Sequence, residues 1–289
     1  MKNLIQISAF GNLLPYHMGI EPFGITDYFR FLNSFDVLHI HGGLRWHQFH
    51  CRLVKVPIVL HMHGSDAREG WGLHHLGKVA KIIYSTPDLK SKLPKAAEWF
   101  PAPVCVPDGL RYQSVDDGLL HVLHAPTQPH LKGTVRVVNV LREFAPRRAD
   151  SPGRMVLTGP GIRFTLLTQL VPHADLLRLM TAQDLVIDQM TDFGIYSMTS
   201  VEAMMLGTAA ASSLSTAIYE RAGIFYETIP VLPIPSEGPL RYRIRQFLQD
   251  PGALRDWARL GPAYAKKWHD PAALARRSLQ LYEEAIART

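Results

Sequence analysis

Cysteine is almost missing. Cys51 and Cys105 are the only two in 289 residues, which rules out a disulfide framework and fits a reducing cytoplasm. No apolar run approaches the roughly 18 residues that mark a membrane-spanning helix. Long runs of one charge are missing as well. Basic residues cluster only in pairs such as Arg147-Arg148, Lys266-Lys267 and Arg276-Arg277, which argues against a dedicated nucleic-acid arm. There is no internal repeat and no low-complexity tract, so solenoids and long disordered tails are excluded. The opening Met1-Lys-Asn-Leu-Ile-Gln-Ile lacks a leader cleavage pattern and reads as a strand.

What is present is an ordinary globular composition. Hydrophobic residues make up 47%, enough for a sizeable core, and the length suits two domains or one large one. Thirty-one basic residues against 25 acidic ones give a net charge of +6. That balance favours anionic partners: nucleotides, phospholipid headgroups or nucleic acid. The expected location is cytoplasmic, with peripheral attachment to a membrane left open.

Short apolar runs alternate with helical patterns, the signature of parallel α/β sheets. Strands are expected at Leu4 to Ser8, Asp36 to His41, Pro57 to His63 and Lys81 to Tyr84. Residues 107–118, PDGLRYQSVDDG, are polar and turn-rich and read as a linker. A second α/β pattern follows, with strands at His121 to His124, Arg154 to Thr158 and Ile229 to Leu232. Helices are expected over Thr134 to Phe144 and Ala174 to Ala182. The C-terminal part is helical. Asp250-Pro251 and Asp270-Pro271 each pair an N-cap with a proline at the first helical position.

The most informative stretch is Asp184 to Gly207, DLVIDQMTDFGIYSMTSVEAMMLG. A buried strand, Asp184 to Asp188, leads through a loop with Gly194 into a helix from Met198 to Leu206, which Gly207 stops. Ala209 to Ala211 suits the next strand. The loop therefore leaves the carboxyl end of a strand and enters a helix N-terminus, where unpaired amides favour phosphate. Glu202 has two readings. It could accept hydrogen bonds from a ribose diol. It could equally be the last member of a capping box, Thr199-Ser-Val-Glu202, and merely satisfy an amide.

Three other groups carry potential chemistry. His39/His41 and His61/His63 lie at the ends of two strands, and alternation puts each pair on one face. They could hold a metal with His47, His50 and Cys51, include a catalytic or substrate-polarising histidine, or be structural. Their spacing matches no known zinc motif. His63 is the functional candidate, because Gly64-Ser65 turns the backbone at a sheet edge. Lys132 precedes a helix, where its charge and the helix dipole together favour a diphosphate, although most lysines are simply solvated. Gly159-Pro-Gly161 after a strand is a partial glycine fingerprint.

Taken together, several segments resemble the GT-B glycosyltransferases of the group-1 (family four) type. They are Asp36-Val-Leu-His-Ile-His41, His61-Met-His-Gly-Ser-Asp66, Ser85-Thr-Pro-Asp-Leu89 with Trp99-Phe-Pro-Ala-Pro-Val104, His124-Ala-Pro-Thr127 with Lys132-Gly-Thr134, and Asp184 to Gln189 with Val201 to Gly207. Tyr264 and His269-Asp270 in the tail add to the match.

The resemblance implies an α/β fold of GT-B type: two Rossmann-like domains facing a cleft, with a C-terminal helix crossing back to the first domain. Residues 1–112 would bind the acceptor, 118–268 the nucleotide-sugar, and 269–289 would be the crossover helix. It implies sugar transfer from a nucleotide-sugar such as a UDP-sugar to an acceptor hydroxyl, with retention and with neither metal nor cofactor. The acceptor would be a glycan, a lipid-linked sugar, a small molecule or modified nucleic acid. His63 and Lys132 would be catalytic. Thr127, Lys132, Gly194, Ser197, Met198, Thr199 and Glu202 would line the donor site, the last matching the second glutamate of the family's pair. Gly194 stands where the first glutamate would be, and Thr127 where an arginine usually precedes the lysine. These departures keep two rivals in view: a nucleotide-sugar binding protein without transfer, and another GT-B reaction such as epimerisation or hydrolysis.

Overall fold

A computed structural model of the chain describes residues 4–8, 25–42, 52–70, 76 and 79–288. The chain divides into two compact units, Met1–Ala102 with Ala272–Thr289, and Pro103–Pro271.

The first unit is built on a parallel sheet in sequential order: β1 (Leu4–Ser8), β2 (Val37–His41), β3 (Ile58–Met62), β4 (Lys81–Tyr84) and β5 (Glu98–Trp99). Helix α1 (Ile25–Leu32) and the short α2 (Ser65–Arg68) lie between strands. β3 is buried throughout, which is why Ile58-Val-Leu lacks polar alternation. The last helix in chain order, α9 (Pro271–Ile286), belongs to this unit. Its Leu274, Leu281, Tyr282 and Ala285 are buried with Val37, Val59, Ile83 and Phe100 of the sheet side. Each large apolar side chain so buried contributes about 1.5–3 kcal/mol gross.

Polar bonds fix the register of that helix. Lys81 donates to Glu98 and Glu284, Arg277 donates to the Trp99 carbonyl at 2.8 Å, and Tyr282 OH lies 2.7 Å from His39 Nδ1 in the core. Tyr282→Phe removes this last bond while keeping the ring. It should cost about 1 kcal/mol, read as faster hydrogen exchange at the β2 and β3 amides of the first unit.

The second unit holds a seven-stranded sheet in the order β12-β11-β10-β6-β9-β8-β7. β6 (Leu120–His124) leads to α3 (Thr134–Phe144) and then to a meander, β7 (Arg147–Ser151), β8 (Arg154–Gly159) and β9 (Ile162–Leu167). α4 (His173–Thr181), β10 (Leu185–Gln189), α5 (Met198–Leu206) and β11 (Ala209–Ser212) follow. α6 (Thr216–Arg221), β12 (Val231–Pro233), α7 (Glu237–Gln249) and α8 (Pro251–His269) complete it. β7 to β9 pair antiparallel, and the other pairs are parallel.

The meander gives the partial glycine fingerprint another role. Gly159-Pro-Gly161 is not a nucleotide loop. It is a tight turn between two antiparallel strands, with Gly159 paired to Ile162 and Gly161 at φ 71°, the left-handed value that follows proline in a type II turn. β7 and β9 were not legible as strands. Residues 107–118 carry a turn at Asp108-Gly109 and a bend at Asp117-Gly118 and otherwise run without regular structure along the second unit: Tyr112 N–H donates to the Leu206 carbonyl, Gln113 N–H to that of Thr181, and Tyr112 OH to Asp184, each at 2.7 Å.

The sheet order fixes where a ligand can sit. After β6 the chain goes to the sheet edge at β7, returns inward through β8 to β9 beside β6, and then crosses to the other side for β10. The connections that leave the carboxyl ends of the paired strands β6 and β10 therefore run in opposite directions, a switch point where open α/β sheets form their ligand crevice.

Candidate functional site

At that switch point the loop after β6 brings in Lys132, and the loop after β10 brings in the start of α5. Lys132 Nζ donates to Asp188 Oδ1 and Gln189 Oε1, both at 2.9 Å, and to Ser197 Oγ at 2.8 Å. Asp188 is the hub. Its carboxylate also accepts from Ser197 N–H at 2.7 Å, Ser197 Oγ–H at 2.6 Å and Ser200 Oγ–H at 2.8 Å. Its side chain is wholly buried. Burial raises the Asp188 carboxyl, but the Lys132 ammonium and the Ser197 hydrogen bonds outweigh it and hold the group below the usual carboxylate range. A buried carboxylate thus caps α5 from the neighbouring strand.

This arrangement replaces the capping box. Ser197 is the N-cap and Met198 the first helical residue, so Glu202 stands fifth in the helix, whereas a capping-box glutamate stands third. Glu202 instead accepts from His173 Nε2 at 2.8 Å, with the carboxylate 11% exposed and the imidazole 59% exposed. The Ser197 amide, expected to face phosphate, is held by Asp188. The Met198 and Thr199 amides remain in the first turn, where a helix offers no internal acceptor.

Gly194 is buried at φ 66°, and a Cβ there would lie 2.7 Å from Ile218 Cδ1 and 2.8 Å from Ser215 Cβ. A glutamate has no room at this position, which gives the departure from the family pattern a packing reason. Thr127 is exposed. A second cation not singled out from sequence, Arg136 of α3, is paired with Glu237 at 2.7 Å and lies 3.8 Å from Asp192. Gln189 ties the loop down from the other side, its Nε2 donating to the Ile195 carbonyl at 2.8 Å. Beneath, His124 is fully buried. Nδ1–H donates to the Ile187 carbonyl at 2.8 Å, and Nε2 accepts from Thr134 Oγ1 at 2.9 Å. Burial lowers its pKa to about 4.

Sequence reasoning did not single out Asp188, Gln189, Ser200 and His173 as site residues. The signal was there for the first two: an apolar strand that ends in two polar residues, both buried, implies partners for them. Tyr264 and His269 of the tail are buried around Tyr196, whose hydroxyl is 3.1 Å from each.

In the first unit, β2 carries His39 and His41, β3 carries His61, and His63 follows directly after β3. His63 uses both ring nitrogens, Nε2 to His41 Nδ1 at 3.0 Å and Nδ1 to Ser85 Oγ at 3.1 Å. His61 Nε2 reaches the same Ser85 hydroxyl at 2.9 Å. Burial, reinforced by the neighbouring imidazoles, lowers the pKa of His39 to about 3 and of His41 to about 4, and drives His61 well down. These rings are neutral at pH 7. His47, His50 and Cys51 lie outside the described residues.

No protein-family model matches the chain, and no curated protein sequence does. Solved structures do match over most of its length. Sucrose-phosphate synthase from Thermosynechococcus elongatus aligns with a TM-score of 0.63 at 15% identity, over 91% of this chain and 77% of that one. Anabaena HepE (Alr3699) in complex with UDP gives 0.63 at 12%, over 89% and 80%. An α-glucosyltransferase in complex with UDP and a 13-mer DNA containing a HMU base gives 0.57 at 11%, over 89% and 82%. At such identities the likeness shows the fold, which is GT-B. Among the described residues, no helix is long and apolar enough to cross a membrane.

Proposed function

We propose that the protein is a nucleotide-sugar-dependent glycosyltransferase of the group-1 (family four) type. The observation that carries this reading is the Lys132 ammonium, fixed by Asp188 beside the first turn of α5 at the switch point of the second sheet. A diphosphate placed there meets Lys132 and the Met198 and Thr199 amides together. Glu202, aligned by His173, accepts from the ribose hydroxyls. As the bond from the anomeric carbon to the phosphate oxygen breaks and the bond to the acceptor oxygen forms, these donors stabilise the leaving diphosphate. The acceptor proton passes to that diphosphate. Retention follows from the family reading, and the donor site as described asks for no metal at the phosphates. UDP is the first nucleotide to try, because HepE and the α-glucosyltransferase were solved with it. The net charge of +6 keeps modified DNA among the acceptors, alongside glycans, lipid-linked sugars and small molecules.

One observation favours binding without transfer. Asp188 already neutralises Lys132, so the ground state lacks a free cation for the developing charge. Calorimetry of the full chain with UDP-, GDP-, ADP- and TDP-sugars in EDTA tests the donor site. One donor should bind, and Lys132→Ala and Glu202→Ala should each weaken it about tenfold, the order of one lost charge-assisted hydrogen bond. No binding of any nucleotide by folded protein rejects the reading. Binding without product over a broad acceptor set selects the non-transferring alternative.

A further inference from the structure

The histidines of the first sheet form a two-by-two array that donor chemistry does not use. The centroids of His39 and His41, and of His61 and His63, are 4.1 Å apart along each strand. Across the strands the separations are 5.2–5.6 Å. One ring nitrogen each of His39, His41 and His61 lies within 4.8 Å of the other two. A core position on a buried strand ordinarily takes Val, Ile or Leu, so several imidazoles on one face have a desolvation cost that needs a reason.

The three rings also have the outer partners that metal-ligating histidines require. A ligating imidazole is usually held through its second nitrogen, which sets tautomer and orientation. Here His39 Nδ1 is held by Tyr282 OH, His41 Nδ1 by His63 Nε2, and His61 Nε2 by Ser85 Oγ. The remaining nitrogen of His61, Nδ1, is buried and makes no hydrogen bond of good geometry among the described residues. The Phe100 backbone beside this ring favours its protonated form against the burial, an interaction that metal binding gives up. His41 is half-buried and gives a way in.

We propose that His39, His41 and His61 form a tri-imidazole site for a divalent late transition-metal ion, with zinc as the representative, whose fourth position is left to water or an anion. All-imidazole ligation selects Zn, Co, Ni or Cu over the oxygen-seeking Mg and Ca. The set has no carboxylate, so the ion keeps its full charge and an anionic fourth ligand is favoured. Tetrahedral zinc at 2.0–2.1 Å brings its nitrogens to about 3.3 Å from one another. The rings must therefore close by small side-chain rotations and give up their parallel stacking, 11° between His39 and His61. The site lies within the first unit and stands or falls independently of the transferase reading.

The test uses the full chain after EDTA treatment and dialysis. Titration with Co2+ should give one equivalent bound, with the visible absorption bands of a four-coordinate nitrogen-rich site. Zn2+ should displace it, and millimolar Mg2+ should not. His41→Gln should weaken Co2+ at least tenfold, while His130→Gln, at an exposed histidine of the second unit, should not. X-ray absorption of the wild-type zinc adduct reads the ligand set without any substitution, so the test survives a variant that fails to fold. Three imidazoles in the shell support the site. No stoichiometric binding, an oxygen-dominated shell, or Co2+ affinity untouched in folded His41→Gln overturns it.

Discussion

Replacing Asp188 by alanine should lower the stability of the second unit by about 3–5 kcal/mol, the cost of breaking a buried ion pair from one side. Four donors lose an acceptor at once: the Lys132 ammonium, the Ser197 amide, the Ser197 hydroxyl and the Ser200 hydroxyl. The ammonium keeps Gln189 and Ser197 Oγ as neutral partners, which do not offset its charge. Asp188→Asn keeps the shape and two acceptor sites on oxygen but places an NH2 against donors, so it should recover less than half of the loss. Hydrogen exchange at the β10 and β11 amides, followed in both variants at pH 7, isolates the second unit from the first. Exchange unchanged in Asp188→Ala would mean that the carboxylate is not the hub of the site.

The second large effect is on acid stability and centres on His124. Its folded pKa, about 4, lies below the unfolded value of 6.5, so the unfolded chain binds a proton that the folded chain refuses. The stability this preserves is fully present above pH 6.5. It is lost progressively as pH falls, and the loss is complete once pH has passed the folded value near 4. At 1.36 kcal/mol per pH unit the whole loss is about 3 kcal/mol, two-thirds of it by pH 5. His124→Asn retains a donor for the Ile187 carbonyl and cannot titrate in this range. The variant should be less stable at pH 7, because it leaves Thr134 Oγ1 without its partner, and yet lose about 3 kcal/mol less than wild type between pH 7 and pH 4. Urea midpoints at pH 7, 5.5 and 4.5 measure this, and the difference between the two proteins isolates His124 from the other histidines. Parallel slopes would refute a buried neutral imidazole.

The parts of this site that could be read from sequence are those set by local physics. The strand ending at Asp188, the helix from Met198 to Leu206 and its stop at Gly207 follow from an apolar run, a helix-forming run and a glycine. What escaped depends on partners far along the chain. Asp188 meets Lys132 at a sequence separation of 56, and His173 meets Glu202 at one of 29. The capping-box pattern misled because it counts offsets from Thr199, whereas the helix begins where Asp188 pins Ser197. β7 escaped for another reason. All five of its residues are exposed, so it carries no hydrophobic alternation, and only its pairing with β8 makes it a strand.

The placement of α9 has a consequence for how the molecule comes to exist. On a ribosome, residues 103–271 emerge before residues 272–289, and they include every element of the second unit. Its meander from β7 to β9 supplies local pairings that form quickly. The first unit, although made first, has to wait: the sheet side of its core, Val37, Val59, Ile83 and Phe100, stays uncovered until Leu274, Leu281 and Tyr282 arrive. The order of folding is therefore the reverse of the order of synthesis. The nascent chain carries an open apolar sheet through most of translation, and that surface is the one on which a chaperone would act.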